Sequence, residues 1–181
     1  IVTGGAGFIG SNLVDKLVDD GHEVIIFDNY STGKKENINP NAKFFLVDIT
    51  HQPYFETNTM KDIMSGVDVV FHLAALARVQ PSIENPIEYH NTNINGTLNM
   101  LDACRKYGVK RFVFSSSSSV YGDVREEDLP TSENSELNPM SPYALHKLVG
   151  EQYCKLYSEL YGLETVSLRY FNVYGERQNT E

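Results

Sequence analysis

The stretch "IVTGGAGFIGSNLVDKL", residues 1–17, decides the fold. A short apolar strand, Ile1–Thr3, runs into a glycine loop, and the loop opens directly into a helical pattern. In that pattern apolar residues recur every four positions from Ile9 to Leu17, which predicts an amphipathic helix. Strand, glycine loop and helix in this order are typical of the first unit of a parallel α/β sheet.

The glycines of this loop fit two known spacings. Gly5, Gly7 and Gly10 satisfy G-x-G-x-x-G, and Gly4, Gly7 and Gly10 satisfy G-x-x-G-x-x-G. Glycine lets the backbone approach a pyrophosphate closely, and the helix N-terminus supplies unpaired N–H groups. We therefore predict a dinucleotide site here, the alternative being a glycine-rich turn without a ligand.

The alternation of strand and helix continues along the chain. Further strands are predicted at Val24–Phe27, Lys43–Val47, Val69–Leu73, Arg111–Ser115 and Thr165–Arg169. Helical patterns lie between them and end at Gly21, Gly108 and Gly162. Continuous apolar strands suit a parallel sheet covered on both faces. We predict one α/β domain over residues 1–181, a Rossmann-type doubly wound parallel sheet with helices on both faces.

Composition narrows the function further. The 181 residues carry a net charge of −9, which argues against binding to nucleic acid or to an anionic membrane. No apolar run is long enough to span a bilayer. Only two cysteines are present, which predicts reduced thiols and a cytoplasmic protein. The five histidines show no metal-ligand spacing, so no metal is expected.

Two aspartates follow predicted strands. Asp28 ends the second strand, where a carboxylate would accept hydrogen bonds from the adenosine ribose. A carboxylate there would repel a 2′-phosphate and favours NAD over NADP, although Lys34 and Lys35 keep NADP open. Asp48, after the third strand, is either a contact to adenine or a helix N-cap.

The segment "SPYALHK" places Tyr143 and Lys147 four residues apart near the start of a helix, so both side chains lie on one face. A nearby ammonium and a positively charged nicotinamide ring would lower the pKa of the tyrosine phenol. The pair would then serve as a general acid/base. The spacing Y-x-x-x-K is common on amphipathic helices, so its weight depends on its neighbours.

Six motifs, "TGGAGFIG", "HLAA", "NTNINGT", "SSSSSVYG", "YALHK" and "RYFNVYG", stand in register along the chain. In this order they resemble the extended short-chain dehydrogenase/reductase family, nearest to nucleotide-sugar epimerases of the UDP-glucose 4-epimerase type. The resemblance implies NAD as cofactor, a UDP-sugar substrate and a homodimer. It also implies a substrate-binding lobe after residue 181.

The resemblance assigns roles to individual residues. Counting back from the V-Y-G triplet makes Ser117 the catalytic serine, with Tyr143 as base and Lys147 as its partner. Asn172 would contact the phosphates of the substrate, and Ser117 and Tyr143 would contact its sugar. Asn93 would be a structural support. The expected cofactor contacts are Gly4, Gly7, Phe8, Ile9, Gly10, Asp28, Asn29, Asp48, Ile49, Leu73, Ala74, Ala75, Ser115, Tyr143, Lys147 and Tyr170.

Departures from the family pattern narrow the reaction. Dehydratases of the family place an acidic pair after the catalytic residue, where this chain has Ser118 and Ser119. We therefore expect epimerisation at C4 of a UDP-hexose through a transient 4-keto sugar. The alternatives are a UDP-N-acetylglucosamine 4-epimerase or another nucleotide-sugar epimerase, a nucleotide-sugar dehydratase or NAD(P)-dependent reductase, and a non-catalytic dinucleotide sensor. "ERQN" at residues 176–179 resembles the N-acetylglucosamine branch, whereas Ala77 and Arg78 depart from common epimerases.

Two expectations concern the catalytic helix itself. His146 should face solvent, away from the catalytic side of the helix. Val149, Tyr153, Leu156 and Leu160 should form the buried apolar stripe, with Tyr157 and Tyr161 beside it at a dimer interface.

Overall fold

The structure, a computed structural model, describes residues 1–178, apart from the side chain of residue 128. Six strands form one sheet: β1 Val2–Thr3, β2 Ile25–Asp28, β3 Lys43–Leu46, β4 Val69–His72, β5 Arg111–Ser117 and β6 Glu164–Tyr170. All neighbouring strands pair in parallel, in the order β3-β2-β1-β4-β5-β6. The predicted doubly wound sheet is thereby confirmed.

Successive strands are added outward from β1 in one direction up to β3 and in the other direction from β4 on, so the topological switch point lies between β1 and β4. In open α/β sheets this is where the loops that leave neighbouring strands diverge and form a crevice. The glycine loop leaves β1 there, and the "HLAA" segment leaves β4 beside it. The fold therefore brings the two segments together although some 70 residues separate them in the sequence.

Six α-helices cover the sheet: α1 Phe8–Asp19, α2 Asn58–Met64, α3 Val79–Glu84, α4 Pro86–His90, α5 Gly96–Tyr107 and α6 Pro142–Tyr161. A π-helical turn, Asn91–Asn95, joins α4 to α5. The helices α5 and α6 end where predicted, because Gly108 and Gly162 adopt left-handed φ angles of 75° and 72° as their C-caps.

Apolar side chains fill both faces of the sheet. Val2 and Ile26 pack with Val14 of α1 on one face, whereas Phe27 and Phe112 belong to the larger cluster on the other. All five are fully buried. Burying a side chain of this size stabilises the fold by about 1.5–3 kcal/mol, which explains why the continuous apolar runs were good predictors of strands.

The packing of α6 differs from the prediction. Leu156 and Leu160 are 46% and 67% exposed, whereas Tyr157 is only 9% exposed, so the predicted apolar stripe is wrong at these positions. Tyr153 packs against the core, as predicted. The prediction that His146 faces solvent is wrong as well, because His146 is 5% exposed and its ring lies 5.6 Å from that of His90. The cause is α4, which packs against α6 and covers the face that was expected to meet solvent.

Two further features are the cysteines and the segment from Gly122 to Pro142. Cys104 and Cys154 are free thiols buried in α5 and α6. The segment is mostly irregular, with one short 3₁₀ turn at Glu126–Asp128. Within residues 1–178 no helix is both long and apolar enough to cross a membrane.

Candidate active site

The glycine loop turns tightly between β1 and α1. Gly4 has a φ of +71°, and a Cβ atom there would lie 2.8 Å from the backbone nitrogen of Ala74. A Cβ atom on Gly10 would lie 2.1 Å from the carbonyl oxygen of Gly4. Gly7 is the N-cap of α1, and no side chain caps the helix. The backbone thus forms a cradle that side chains would fill, which fits a pyrophosphate.

Asp28 closes the neighbouring loop at the end of β2. Its carboxylate accepts hydrogen bonds from the backbone N–H groups of Ala6, at 3.0 Å, and Tyr30, at 2.7 Å. The side chain is 8% exposed, beside the glycine loop. Because each carboxylate oxygen has a second lone pair, Asp28 both fixes the loop and remains able to accept from a ribose.

Asn29, Asp48 and Ile49 lie at the β2–β3 side of the crevice. Asp48 accepts hydrogen bonds from the backbone and hydroxyl of Thr50, so it forms a local turn and is not a helix N-cap. Burial acts to raise the pKa of Asp48, but these bonds outweigh it and the pKa is lowered. The side chain of Ile49 is buried against Gly96 of α5, which leaves mainly its backbone for any ligand.

A buried chain of hydrogen bonds holds the end of β4. His72 lies 2.9 Å from the hydroxyl of Thr3 and 3.0 Å from that of Thr97. The Thr3 hydroxyl also accepts from the backbone N–H of Ala74 at 3.1 Å. Burial and then the charge of Lys147 lower the pKa of His72 to about 3. His72 therefore supports the strand end and stays neutral at physiological pH.

The loop beyond β4 is fixed by two side chains from the following helices. Asn93 accepts from the N–H of Leu76 at 2.8 Å and donates to its carbonyl at 2.9 Å, which confirms the expected structural role. The Tyr89 hydroxyl donates to the carbonyl of Ala77 at 2.6 Å. Arg78, which follows, is exposed and has a φ of +83°. The cofactor candidates Leu73 and Ala75 lie half-buried at the start of this loop.

The serine run is part of the sheet and not a spacer. β5 extends through Ser117, two residues beyond its predicted end, and Ser117 then caps a short 3₁₀ helix, Ser118–Tyr121. The Ser117 hydroxyl accepts hydrogen bonds from the N–H of Ser119 at 3.2 Å and from its hydroxyl at 2.9 Å. Ser117 is therefore held at the carboxyl edge of the sheet, beside the switch point.

Tyr143 stands in the first turn of α6. The Ser141 hydroxyl caps this helix by accepting from the N–H of Ala144 at 3.1 Å, and Pro142 occupies a favoured first-turn position. The N–H of Tyr143 donates to the hydroxyl of Ser82 on α3 at 3.1 Å. The start of the helix, and with it the tyrosine, is fixed from two directions.

Lys147 lies one turn further along α6 and is 5% exposed. Its ammonium donates to the carbonyl oxygen of Ser115 at 2.7 Å and lies 5.1 Å from the centroid of the Phe114 ring. Gly150 allows helix α6 to pack this closely against Phe114, because a Cβ atom at that position would lie 2.4 Å from the ring. Burial lowers the pKa of Lys147 to about 8.

The electrostatics of Tyr143 correct one sequence-based expectation. Burial raises the pKa of its phenol, and the neighbouring Tyr89 acts in the same direction. A hydrogen bond with Ser117 lowers the pKa but does not outweigh the burial. The Lys147 ammonium, 5.8 Å from the ring centroid, makes no comparable contribution. The structure thus joins Ser117 to Tyr143 and directs Lys147 toward Ser115.

The other predicted site residues lie around the group formed by Ser117, Tyr143 and Lys147. Tyr170 pairs in register with Ser117 on the neighbouring strand, and Asn172 lies in an exposed segment just past β6. Phe8 and Ile9 are half-buried in the first turn of α1. Asn179, the end of the "ERQN" stretch, lies outside the described residues. The described part of the chain contains no cluster of three or more His, Cys, Asp or Glu side chains suited to a metal ion.

Sequence reasoning missed one feature of the site, an ion pair between Glu151 of α6 and Arg169 of β6. Ser116, next to the candidate catalytic serine, donates a hydrogen bond to Glu151. A signal was available: Arg169 is a cation near the carboxyl end of a predicted strand, and Glu151 follows Lys147 at four-residue spacing.

Comparison with known proteins shows which protein family this chain matches. A family model described as the NAD dependent epimerase/dehydratase family matches residues 1–181. A protein of Methanocaldococcus jannaschii, provisionally named UDP-glucose 4-epimerase, is 51% identical over 180 residues. That match covers 99% of this chain and 57% of the relative.

Two solved structures are similar over nearly the whole chain. The Thermus thermophilus UDP-glucose 4-epimerase in complex with NAD is 43% identical with a TM-score of 0.93, covering 99% of this chain and 57% of that one. The Methanobrevibacter ruminantium UDP-N-acetylglucosamine 4-epimerase, in complex with UDP-N-acetylmuramic acid, is also 43% identical with a TM-score of 0.89. It covers 98% of this chain and 56% of that one, so the chain spans little more than half of such relatives.

Proposed function

This chain belongs to the NAD dependent epimerase/dehydratase family, and on that basis we propose that the whole protein is an NAD-dependent nucleotide-sugar 4-epimerase. The substrate that we favour is a UDP-hexose of the UDP-glucose/UDP-galactose type. Residues 1–181 would be its dinucleotide-binding domain, and a substrate-binding lobe would follow them.

One observation carries the proposal: Ser117, Tyr143 and Lys147 gather at the carboxyl edge of the sheet, beside the glycine cradle. In the proposed reaction the Tyr143 phenolate takes the proton of the C4 hydroxyl, and the Ser117 hydroxyl donates a hydrogen bond to the same oxygen. Lys147 supplies the positive charge that favours the phenolate once the site is filled. After the 4-keto sugar has rotated in the site, Tyr143 returns the proton to the C4 oxygen.

The cradle and the loops around it would hold the cofactor. NAD, when bound, supplies the acceptor and donor of the C4 hydride. Asp28 would bind the adenosine ribose, and its charge disfavours the 2′-phosphate of NADP. The other proposed contacts are Gly4, Gly7, Phe8, Ile9, Gly10, Asn29, Asp48, Ile49, Leu73, Ala74, Ala75, Ser115, Tyr143, Lys147 and Tyr170.

The charges near the serine run favour epimerisation over loss of water. Elimination needs a carboxylic acid beside the catalytic serine, and the chain has Ser118 and Ser119 there. Glu151 approaches the run, but both of its oxygens accept from Arg169. With Ser117, Tyr143 and Asn172 as substrate contacts, the site contains groups for oxidation and reduction at one carbon.

A second candidate is a UDP-N-acetylglucosamine 4-epimerase. The similarity to the M. ruminantium enzyme of that name, at 43% identity, supports it. The two candidates share the chemistry at C4 and differ in the group at C2 of the sugar. A reductase and a non-catalytic sensor are weaker alternatives. A reductase would consume its cofactor in each turnover, whereas the proposed reaction returns the hydride to the sugar, and a sensor would have no need of a base such as Tyr143.

The test is to incubate the whole protein with NAD and, separately, UDP-glucose, UDP-N-acetylglucosamine and UDP-glucuronate. An epimerase yields a product of unchanged mass that is inverted at C4, and it consumes no cofactor. A dehydratase yields a product lighter by one water, and a reductase oxidises or reduces the free cofactor in proportion to turnover. Binding of NAD without any product would favour a sensor.

We also propose that the whole protein is a cytoplasmic homodimer. Leu156, Leu160 and Tyr161 form an exposed apolar surface on α6, a kind of surface that is more often an interface than bare exterior. The free, buried thiols of Cys104 and Cys154 suit a reducing compartment. Sedimentation of the whole protein at micromolar concentration tests the dimer, and Leu160→Asp should weaken it.

A further inference from the structure

Glu151 and Arg169 form a largely buried, bidentate ion pair beneath the serine run. Arg169 Nε lies 2.9 Å from Glu151 Oε1, and Arg169 Nη2 lies 2.8 Å from Oε2. The side chain of Arg169 is only 19% exposed and that of Glu151 only 11%. By contrast, the ion pair of Arg111 and Glu164, at the other end of β5 and β6, is 48% and 58% exposed.

The pair is bonded to both ends of the segment that carries Ser117. At one end the Ser116 hydroxyl donates to Glu151 Oε1. At the other end Arg169 Nη1 donates to the Tyr121 hydroxyl at 2.9 Å, and the guanidinium carbon lies 5.0 Å from the centroid of that ring. Residues 116–121 are thus held from below at two points.

The same helix presents the base. Tyr143, Lys147 and Glu151 follow one another at four-residue spacing on α6, so they lie on one face. Tyr143 meets the Ser117 hydroxyl, Lys147 binds the carbonyl of Ser115, and Glu151 binds the hydroxyl of Ser116. The three serines at the end of β5 therefore each contact a different turn of α6.

From this geometry we propose that Glu151 and Arg169 are positioning residues for catalysis: through Ser116 and Tyr121 they fix the Ser117 hydroxyl relative to Tyr143. The inference rests on the proposed function, because it assigns a role within that reaction. Neither residue would touch the sugar or the cofactor.

The relative size of two effects favours positioning over stability as the function of this pair. Replacing a buried ion pair by apolar residues is often neutral or stabilising, so such a pair is weak evidence for stability. A misplacement of about 1 Å between reacting groups, however, can reduce the rate by about 100-fold. A small movement of residues 116–121 would change the contact of Ser117 with Tyr143 directly.

The test uses the whole protein with Ser116→Ala, Glu151→Gln and Arg169→Lys. Ser116→Ala removes one link and leaves the ion pair intact, so it remains informative if the charge variants fail to fold. The matched control is Glu164→Gln, which breaks the exposed ion pair of Arg111 with Glu164 between β5 and β6. We expect kcat to fall at least about tenfold in the three variants, with KM within about threefold, and no change in the control.

A second measurement does not depend on turnover. Ultraviolet difference titration of each protein against its Tyr143→Phe counterpart reports the pKa of Tyr143, which should rise in Ser116→Ala and not in Glu164→Gln. If wild-type protein turns over no UDP-sugar, the proposed function fails and this titration still decides the role of the pair. An unchanged Tyr143 pKa in Ser116→Ala, or a kcat like that of the control, would overturn the inference.

Discussion

The ammonium of Lys147 donates its hydrogen bond to the carbonyl oxygen of Ser115, 2.7 Å away. The lysine is therefore anchored to the end of β5, and its ammonium lies over the ring of Tyr143 at 5.8 Å from the centroid. Its charge is nearly buried, and burial lowers its pKa to about 8, so at pH 7 most molecules still carry the charge. The fold maintains a buried cation beside Tyr143, the proposed base, at a cost in solvation.

Replacing this lysine should therefore separate stability from activity. In Lys147→Met we expect turnover to fall by about 100-fold or more, because the filled site loses the positive charge that is proposed to favour the Tyr143 phenolate. The free energy of unfolding should stay level or rise, since a desolvated charge is removed. Urea unfolding and steady-state kinetics of the whole protein measure the two effects, and retention of more than a tenth of the activity would argue against the assignment.

The serine run offers a graded series of variants. Ser117→Ala should reduce turnover by about 100-fold, because the hydroxyl that meets Tyr143 is lost. Ser119→Ala removes a hydroxyl that donates to Ser117, so we expect a smaller loss, whereas Ser118→Ala should leave turnover nearly unchanged. Equal losses at all three positions would show that the reacting hydroxyl is not Ser117.

The glycine cradle predicts a contrast between two neighbouring glycines. Gly10→Ala would place a Cβ atom 2.1 Å from the carbonyl oxygen of Gly4, an overlap that only a backbone shift can relieve. We expect it to destabilise the fold by about 1–3 kcal/mol or more and to abolish NAD binding. Gly7→Ala, with the same atom at 3.2 Å, is the matched control and should fold normally. Thermal unfolding and calorimetric titration with NAD test both variants.

His72 makes stability depend on pH in a defined direction. Its pKa lies near 3 in the folded protein against a usual 6.5, so between these values the unfolded chain binds one more proton. Stability should therefore fall as the pH drops below about 6, by up to about 1.4 kcal/mol per pH unit from this residue. His72→Gln should flatten that dependence, whereas His22→Gln, at an exposed position, should not. Unfolding curves between pH 4 and pH 7 would detect the difference.

Local patterns predicted most of the fold because the strands are continuous apolar runs. The error at the end of β5 arose because Ser116 and Ser117 are polar, yet they extend the strand by pairing with β6. Packing between distant elements could not be read in the same way. On α6 the buried side includes small or polar residues, Ala144, Gly150 and Cys154 among them, whereas Leu156 and Leu160 are exposed.

The same distinction between local patterns and packing applies to the site. Motif spacing and the family resemblance predicted Ser117, Tyr143 and Lys147 as the catalytic set, and the topology places these three residues at one edge of the sheet. The sequence did not predict that Lys147 would turn toward Ser115, or that Glu151 and Arg169 would meet. Such contacts depend on how α6 lies against β5 and β6, which is a property of the whole fold.

The central claim is that the protein oxidises and re-reduces one carbon, C4, of a UDP-sugar. Incubating the whole protein and NAD with UDP-glucose deuterated at C4 tests it most directly, with Tyr143→Phe as the inactive control. We predict that UDP-galactose forms with the deuterium still at C4, and that the control forms none. Loss of the label to solvent, its recovery in free NADH, or a product without inversion at C4 would contradict the account.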